Sequence, residues 1–168
     1  EGGIRVPGIL RWPEKITAPR VEHTPISSLD LFPTLCELAG VDLPAGVKLD
    51  GESMVPLLEH GTMERVQPLF WFYYNAFSYT TIAMRHGDFM MLARRTGQLY
   101  YPGTGFDATR MEAITTSKPR AYELYNLGED VGQTRFVQDA YPDIFEKMKK
   151  QLDEIFSEIQ HNSPVWSD

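Results

Sequence analysis

The sequence predicts an α/β fold made of a layered first part and a small antiparallel sheet that packs against a C-terminal helix. Three observations support this prediction. Two short helical segments between residues 28 and 61 each have a proline in the first turn and a glycine at the end. Short aromatic and apolar runs follow from residue 69, and an amphipathic stretch from Pro142 closes the pattern. We place the domains at residues 1–65 and 66–168.

The first part is predicted to contain one strand and two helices. Residues 4–12 are mostly apolar and predict a strand, whereas three prolines make residues 13–27 a connecting loop. Asp30 or Ser28 can cap a helix that runs through Ala39, with an apolar stripe that contains Leu31, Leu35 and Leu38. A second helix begins at Ser53 and ends by Gly61.

The second part is predicted to contain about four antiparallel strands and one long helix. The strands are expected at 69–74, 80–85, 89–93 and 122–126, and His86-Gly87-Asp88 forms the turn between the second and third. Residues 97–120 show no periodicity and are expected to form a long loop. The final helix, to about residue 160, is expected to pack on the sheet through Phe145, Met148, Leu152, Ile155, Phe156 and Ile159.

Composition excludes several functional classes. The chain has 168 residues, with 23 acidic and 16 basic side chains and a net charge of −7, so it lacks the basic excess of a nucleic-acid-binding protein. No apolar run approaches the roughly 18 residues of a membrane span. Cys36 is the single cysteine, which excludes an internal disulfide and a cysteine-based zinc cluster, and we expect it to be buried.

Five motifs in order resemble the C-terminal third of the formylglycine-dependent (type I) sulfatases of the alkaline-phosphatase superfamily. They are EGGIRVPGILRWPEKI, SSLDLFPTLCELAG, LDGESMVPLL, AMRHGDFMML and ELYNLGEDVGQ. The resemblance runs from Glu1 to about Val137. It implies that residues 1–65 are the end of the sulfatase α/β core.

The resemblance also implies a division of labour within a longer protein. In this family a calcium ion and a formylglycine hydrate carry out the hydrolysis of sulfate esters, and their ligands lie upstream of the segment that this chain resembles. We therefore expect no catalytic residue and no metal ligand in this segment, and no sulfatase activity from the 168-residue chain alone. The upstream catalytic portion of the same protein is the expected partner, and the parent is expected to be extracytoplasmic.

Several residues are candidates for contact with the substrate. Lys118 and Arg120 lie before the last predicted strand, in a stretch that approaches the substrate pocket in sulfatases, and cationic donors favour an anionic ester. Tyr74 and Asn75 could stack on and hydrogen-bond a sugar, and His86 is a turn residue that could touch substrate. Glu1, Gly2, Gly3 and Arg5 are assigned to the family motif with a structural role.

Three functions remain open at the level of sequence. The first is the C-terminal part of a sulfatase acting on a sulfated carbohydrate or an aryl sulfate ester, with this segment completing the fold and the substrate rim. The second is a segment of a related phosphodiesterase or phosphonate hydrolase. The third is a non-catalytic carbohydrate-binding module. The apolar residues near the N-terminus further predict that the isolated chain self-associates through residues 1–40 or repacks them.

Overall fold

A computed structural model describes residues 1–16, 19–73, 80–97 and 108–163 of the chain. The chain divides into two compact units, residues 1–69 and 70–168. The assignment of residues 1–65 and 66–168 as separate domains stays a prediction. The helices are α1 (Leu31–Ala39), α2 (Val55–His60), α3 (Ala108–Thr115) and α4 (Pro142–Asn162), and the strands are β1 (Leu69–Phe72), β2 (Ile82–His86), β3 (Phe89–Arg95) and β4 (Pro119–Asn126).

The predicted strand at residues 4–12 is not present. The backbone turns at Gly2 and Gly3, where the amides of Ile4 and Arg5 donate to the Glu1 carbonyl at 3.1 and 2.9 Å, and residues 5–12 then follow an irregular path. The side chains of Val6 and Ile9 are 80% and 94% exposed. A strand requires a hydrogen-bonded neighbour, and the described residues supply none to this segment.

The first helix begins with a capped 3₁₀ turn. Ser27 is the N-cap of the turn Ser28–Asp30, which continues directly into α1. Asp30, one of the two predicted caps, is the N-cap residue of α1, although its side chain makes no capping hydrogen bond to that helix. The Asp30 carboxylate accepts from the Ser27 amide at 2.6 Å, which completes a capping box. Gly40 ends α1 with a φ of 65°, a left-handed conformation that glycine adopts without a steric penalty.

Asp30 also connects α1 to the segment before α2. Its side chain is fully buried, accepts from the Glu52 amide at 2.8 Å and forms an ion pair with Arg65. The hydroxyl of Thr34 donates to the Asp30 carbonyl at 2.6 Å and accepts from the Met54 amide at 2.8 Å. These polar contacts hold the two helical segments of the first unit together.

The close approach of two backbone segments requires glycine at position 51. A Cβ built on Gly51 would lie 2.1 Å from the carbonyl oxygen of Leu29, far inside van der Waals contact. Because the obstructing atom belongs to the backbone, it cannot move away as a flexible side chain can. Gly51 therefore sets the distance between the α1 and α2 segments.

The apolar stripe of α1 is exposed within the part of the chain that the structure describes. Leu31, Leu35 and Leu38 are 44%, 63% and 37% exposed, and Phe32 is 49% exposed. The buried residues of this helix are instead Pro33 and Thr34. Cys36 is half-buried, so the expectation of a buried cysteine is wrong. The helical period is correct, but the stripe does not face a core within the described residues.

The second unit confirms the predicted antiparallel sheet. The strand order is β1-β2-β3-β4, and β2 pairs antiparallel with β3, which pairs antiparallel with β4. The β2–β3 turn contains Gly87 with a φ of 59°, which explains glycine at that position. Strand β1 ends at Phe72, whereas the sequence predicted a strand to residue 74, and residues 74–79 lie outside the described ranges.

The long loop predicted at residues 97–120 contains regular structure. Helix α3 occupies Ala108–Thr115, and β4 begins at Pro119, three residues earlier than predicted. Residues 98–107 lie outside the described ranges. Helix α3 has a weak apolar period, which explains why the pattern alone indicated a loop.

Helix α4 packs on one face of the sheet, as predicted. Met148, Leu152 and Phe156 are buried in one cluster with Met84 of β2, Met91 of β3 and Leu124 of β4. The ring of Phe156 meets that of Phe72 edge to face, with centroids 4.9 Å apart. This cluster is the hydrophobic core of the second unit.

Candidate functional site

Lys118 and Arg120, the two cationic residues predicted to contact substrate, lie at one end of the antiparallel pair β3–β4. This is the end where Arg95 is opposite Pro119. Two hydrogen bonds hold the backbone there: the Thr96 amide donates to the Lys118 carbonyl at 2.8 Å, and the Lys118 amide donates to the Thr96 hydroxyl at 2.9 Å. Both cationic side chains are exposed. This end of the β3–β4 pair therefore presents two positive side chains to solvent, on a backbone that is hydrogen-bonded to Thr96.

A β-bulge determines the direction of Arg120. Leu92 is opposite Glu123 and Arg94 is opposite Arg120, so two residues of β4, Ala121 and Tyr122, occupy the place opposite one residue of β3. Ala121 has a φ of 52°, an unusual conformation for a residue with a Cβ. Such strained positions cluster at functional sites, where surrounding structure maintains them.

Arg94 joins the same group of charges. It lies opposite Arg120 across the strand pair, and its guanidinium lies 3.7 Å from the Glu123 carboxylate. Glu123 also accepts a hydrogen bond from the Tyr125 hydroxyl at 3.0 Å. Burial, with this hydrogen bond and the negative charges of Glu123 and Asp130, raises the pKa of Tyr125 to about 12. Tyr125 therefore remains a protonated donor to Glu123 at neutral pH.

Helix α4 anchors the segment that leads to Lys118. The side-chain amide of Gln160 donates to the carbonyls of Ile114 and Ser117 at 2.6 and 3.0 Å and lies 3.4 Å from the Ser117 hydroxyl. Ser117 is 3% exposed, and its hydroxyl donates to the Ile114 carbonyl at 2.8 Å. The Gln160 side chain thus holds both the end of α3 and Ser117, the residue before Lys118.

Replacing Gln160 by alanine is expected to loosen this anchor. The variant leaves the Ser117 carbonyl without its donor, and we expect a loss of about 1–2 kcal/mol in the local opening free energy. Hydrogen exchange at the amides of residues 116–118 should accelerate about five- to thirtyfold in consequence. Gln151→Ala, on the same helix, is the control and should leave these amides unchanged. Equal exchange in both variants would contradict the anchoring role.

His86 lies at the opposite end of the sheet from Lys118 and Arg120. It pairs with Phe89 at the β2–β3 turn, whereas Arg94 and Arg95 pair with Arg120 and Pro119. The seven residues of β3, Phe89–Arg95, span six steps of extended chain and separate the two ends by about 20 Å. The structure therefore does not bring His86 together with the two cations, and its contact with substrate stays a prediction.

Tyr74 and Asn75 lie outside the described residues, so their predicted role stays a prediction. Their neighbour Tyr73 is described, and its amide donates to the Thr81 carbonyl at 2.8 Å. The Thr81 amide in turn donates to the Ala93 carbonyl at 3.3 Å. The chain therefore leaves β1 at the end of the sheet where Arg94, Lys118 and Arg120 lie.

The N-terminal motif residues form a local structure. Arg5 lies 3.8 Å from the Glu1 carboxylate, one helical turn apart in sequence, and its side chain is 55% exposed. A Cβ at Gly2 or Gly3 would meet no described residue within 4 Å. The structural role predicted for these four residues stays a prediction.

In the described ranges, no group of three or more His, Cys, Asp or Glu residues could hold a metal ion. Among the same residues, no helix combines the length and hydropathy that a membrane crossing requires.

Sequence reasoning missed Arg94 and Gln160. Arg94 looks like an ordinary exposed strand residue, since its partner across the sheet depends on the bulge in β4. Gln160 looks like a polar residue on the solvent face of an amphipathic helix. A possible signal was the Arg94-Arg95 pair at the end of a predicted strand, followed by a second cationic pair, Lys118 and Arg120, before the next strand.

Comparisons with known proteins agree on one family. A sequence model of the family described as N-sulphoglucosamine sulphohydrolase, C-terminal, matches residues 1–94. The chain is 50% identical to human steryl-sulfatase over 78 residues, which are 46% of this chain and 13% of that protein. It is 34% identical to human arylsulfatase A over 157 residues, which are 89% of this chain and 30% of that protein.

The fold is also shared with a solved structure. The crystal structure of Ps i-CgsB superimposes with a TM-score of 0.65 and 19% sequence identity, over 92% of this chain and 29% of that one. The described chain therefore has the fold of the corresponding part of that larger protein. The matches to curated relatives likewise cover less than a third of each relative's length.

The protein class defined by these findings is the sulfatases, and within it the chain corresponds to the C-terminal portion. The chain belongs to the N-sulphoglucosamine sulphohydrolase C-terminal family. The resemblance identified from the five sequence motifs is confirmed.

Proposed function

We propose that the protein containing this chain is a sulfatase that hydrolyses sulfate esters, and that this segment completes the fold and forms part of the substrate rim. The observation that carries the proposal is the family match over residues 1–94. The matched range includes the motifs EGGIRVPGILRWPEKI, SSLDLFPTLCELAG and LDGESMVPLL. We further propose a sulfated carbohydrate as the substrate.

The arrangement of charge in the second unit supports a role at the substrate rim. The chain has a net charge of −7, yet Arg94, Lys118 and Arg120 all lie at one end of the antiparallel pair β3–β4. An exposed concentration of cations attracts anionic esters and orients them through charge-assisted hydrogen bonds. Tyr74, Asn75 and His86 remain proposed substrate contacts.

The chemistry itself is assigned to the upstream portion of the protein. By family resemblance, a formylglycine hydrate attacks sulfur there and calcium stabilises the sulfate oxygens. The contribution of the present segment is to bind and orient the substrate, and no residue of this chain is assigned to the bond-breaking step.

The exposed stripe of α1 supports docking against that upstream portion. Leu31, Leu35, Leu38 and Phe32 present an apolar surface on a helix whose backbone is well capped. Such a surface favours burial against another protein segment. In relatives such as arylsulfatase A, more than two thirds of the protein lies outside the matched region, and we propose the corresponding portion of this protein as the occupant. Self-association of the isolated chain stays a prediction.

The activity can be tested with the full-length protein and with the 168-residue chain. We expect the full-length protein to release sulfate from a chromogenic aryl sulfate and from sulfated disaccharides, and the chain alone to release none, since covalent catalysis needs an activated nucleophile. The full-length protein with its nucleophile replaced by alanine is the matched control. Turnover by the isolated chain, or none by the full-length protein, would contradict the proposal.

Two alternatives give different outcomes in the same assay. A phosphodiesterase or phosphonate hydrolase would cleave bis-aryl phosphate or aryl phosphonate faster than aryl sulfate. A carbohydrate-binding module would retain sulfated glycans without hydrolysing them. The family match favours the sulfatase over both.

We propose that the parent protein works in an extracytoplasmic compartment. The proposal rests on its resemblance to the sulfatase family. Fractionation of the source cells, with the full-length protein followed by immunoblotting, would locate it.

A further inference from the structure

We propose that Thr96 and Gln160 are positioning residues that hold the backbone of Lys118, so that its side chain contacts a sulfate group of the substrate. The inference rests on the proposed function and deepens it, because both residues lie outside the sequence motifs and outside the family match over residues 1–94. Three features of the second unit carry it: the partner of the Lys118 amide, the anchor of Ser117, and the exposure of the Lys118 side chain.

Thr96 holds both polar groups of the Lys118 backbone. Arg95 is opposite Pro119 in the β3–β4 pair, and Thr96 and Lys118 continue this register by one pair. The Thr96 amide donates to the Lys118 carbonyl at 2.8 Å, as in a regular ladder, whereas the Lys118 amide donates to the Thr96 hydroxyl at 2.9 Å. Because a side-chain oxygen takes the place of a backbone carbonyl, this second bond depends on the side chain at position 96.

Gln160 and Pro119 restrict the chain on either side of Lys118. Ser117 is 3% exposed, and its carbonyl accepts from the side-chain amide of Gln160 at 3.0 Å. A proline disfavours the α conformation for the residue before it, so Pro119 favours an extended backbone at Lys118. The backbone around Lys118 is therefore restrained by β3, by α4 and by the proline ring.

The side chain of Lys118 is exposed, in contrast to its restrained backbone. Among the described residues, no carboxylate forms an ion pair with its ammonium group. A lysine ammonium is a compact charge with three donors on a flexible stem, and it forms charge-assisted hydrogen bonds with sulfate oxygens. Holding the backbone in place lowers the entropic cost of ordering this stem against a substrate.

Replacing Lys118 by methionine tests the contact in the full-length protein. We expect KM for a sulfated disaccharide to rise about five- to tenfold, because one charge-assisted contact is lost. We expect kcat to stay unchanged, since a contact remote from the reacting bond stabilises substrate and transition state alike. Lys147→Met is the matched control and should leave KM unchanged, because Lys147 is an exposed lysine on α4.

Variants of Thr96 and Gln160 test the positioning. Thr96→Val removes the hydroxyl that accepts from the Lys118 amide and keeps the shape of the side chain, so KM should rise about two- to fivefold. Thr96→Ser retains the hydroxyl and should keep KM at the value of the parent protein. Gln160→Ala should raise KM by a similar factor to Thr96→Val, because the Ser117 carbonyl loses its donor.

Double variants distinguish positioning from a general effect on the fold. If Thr96 and Gln160 act through Lys118, replacing either of them should leave KM unchanged once Lys118 is methionine, since the effects of interacting residues are not additive. A merely structural role would raise KM equally with lysine or methionine at position 118. That result would overturn the inference.

Contact with Lys118 can also be measured without turnover. The full-length protein with its nucleophile replaced by alanine can bind the sulfated disaccharide without hydrolysing it, and peptide mass spectrometry reports the rate at which acetic anhydride acetylates each lysine. We expect the disaccharide to slow acetylation of Lys118 but not of Lys147. With Thr96→Val, the same protection should require about two- to fivefold more disaccharide. Equal protection of both lysines, or of neither, would contradict the contact.

The outcomes separate this inference from the proposed function. A full-length protein that hydrolyses the sulfated disaccharide, and whose KM is unchanged by Lys118→Met, would overturn the inference alone. A full-length protein that hydrolyses no sulfate ester would refute the proposed function, and the inference with it.

Discussion

Replacing Asp30 by alanine is expected to destabilise the protein by about 3–5 kcal/mol, as the loss of one partner from a buried ion pair does. The side chains of Asp30 and Arg65 are fully buried and 8% exposed, respectively. Without Asp30, the Arg65 guanidinium would remain buried without its counter-charge. The amides of Ser27 and Glu52 would also lose their acceptor. Urea and thermal unfolding of the full-length protein, followed by a probe in the first unit, would measure the effect.

Two further variants separate charge from hydrogen bonding at Asp30. Asp30→Asn keeps one acceptor oxygen and should be less destabilising than Asp30→Ala. Combining Asp30→Ala with Arg65→Met removes the isolated charge, so the double variant should be more stable than the sum of the single effects predicts. Asp50→Asn, at an exposed position nearby, is the control and should change stability by less than about 0.5 kcal/mol. Strict additivity in the double variant would contradict the buried ion pair.

Replacing Leu152 by alanine is expected to cost about 2–5 kcal/mol, through lost apolar burial and the cavity that remains. Leu152 is fully buried in the center of the α4 face, within the cluster that contains Met91, Leu124 and Phe156. The chemical midpoint of unfolding should fall, and hydrogen exchange in β3 and β4 should accelerate because these strands form the other side of the core.

The control for this prediction preserves volume. Leu152→Met should cost less than about 1.5 kcal/mol, since methionine fills a similar space and adapts its shape. Ser157→Ala, on the exposed side of the same helix, should have almost no effect. An alanine variant as stable as these two would mean that α4 does not form the core with the sheet.

Local features in the sequence determined most of the secondary structure. The ends of elements are marked by prolines in the first turns of helices and by glycines that adopt a positive φ, at Gly40, Gly61 and Gly87. These signals act within a few residues, because each concerns the conformation of the local backbone. The period of α4 identified the face that packs on the sheet, since a helix places residues three and four apart on one side. The motif order was sufficient to recognise the family.

The candidate site was only partly predictable. Lys118 and Arg120 were identified from their place in the chain. Arg94 was not identified, because its position opposite Arg120 depends on a one-residue bulge in β4 that no local sequence pattern indicates. For the same reason, the alternation of side chains along β4 predicts the wrong face of the sheet for Arg120. Gln160 contacts residues more than 40 positions away, a separation beyond any helical or strand period.

The sequence by itself determined the family, the helix ends, the antiparallel hairpin and the buried face of α4. Tertiary structure alone decided three other features: the absence of a strand at residues 4–12, the exposure of the α1 stripe, and the pairing of Arg94 with Arg120. The physical reason is the range of the interactions. Caps, turns and periodicity act between neighbours in sequence, whereas strand pairing, helix burial and cross-strand register depend on which distant segment lies alongside.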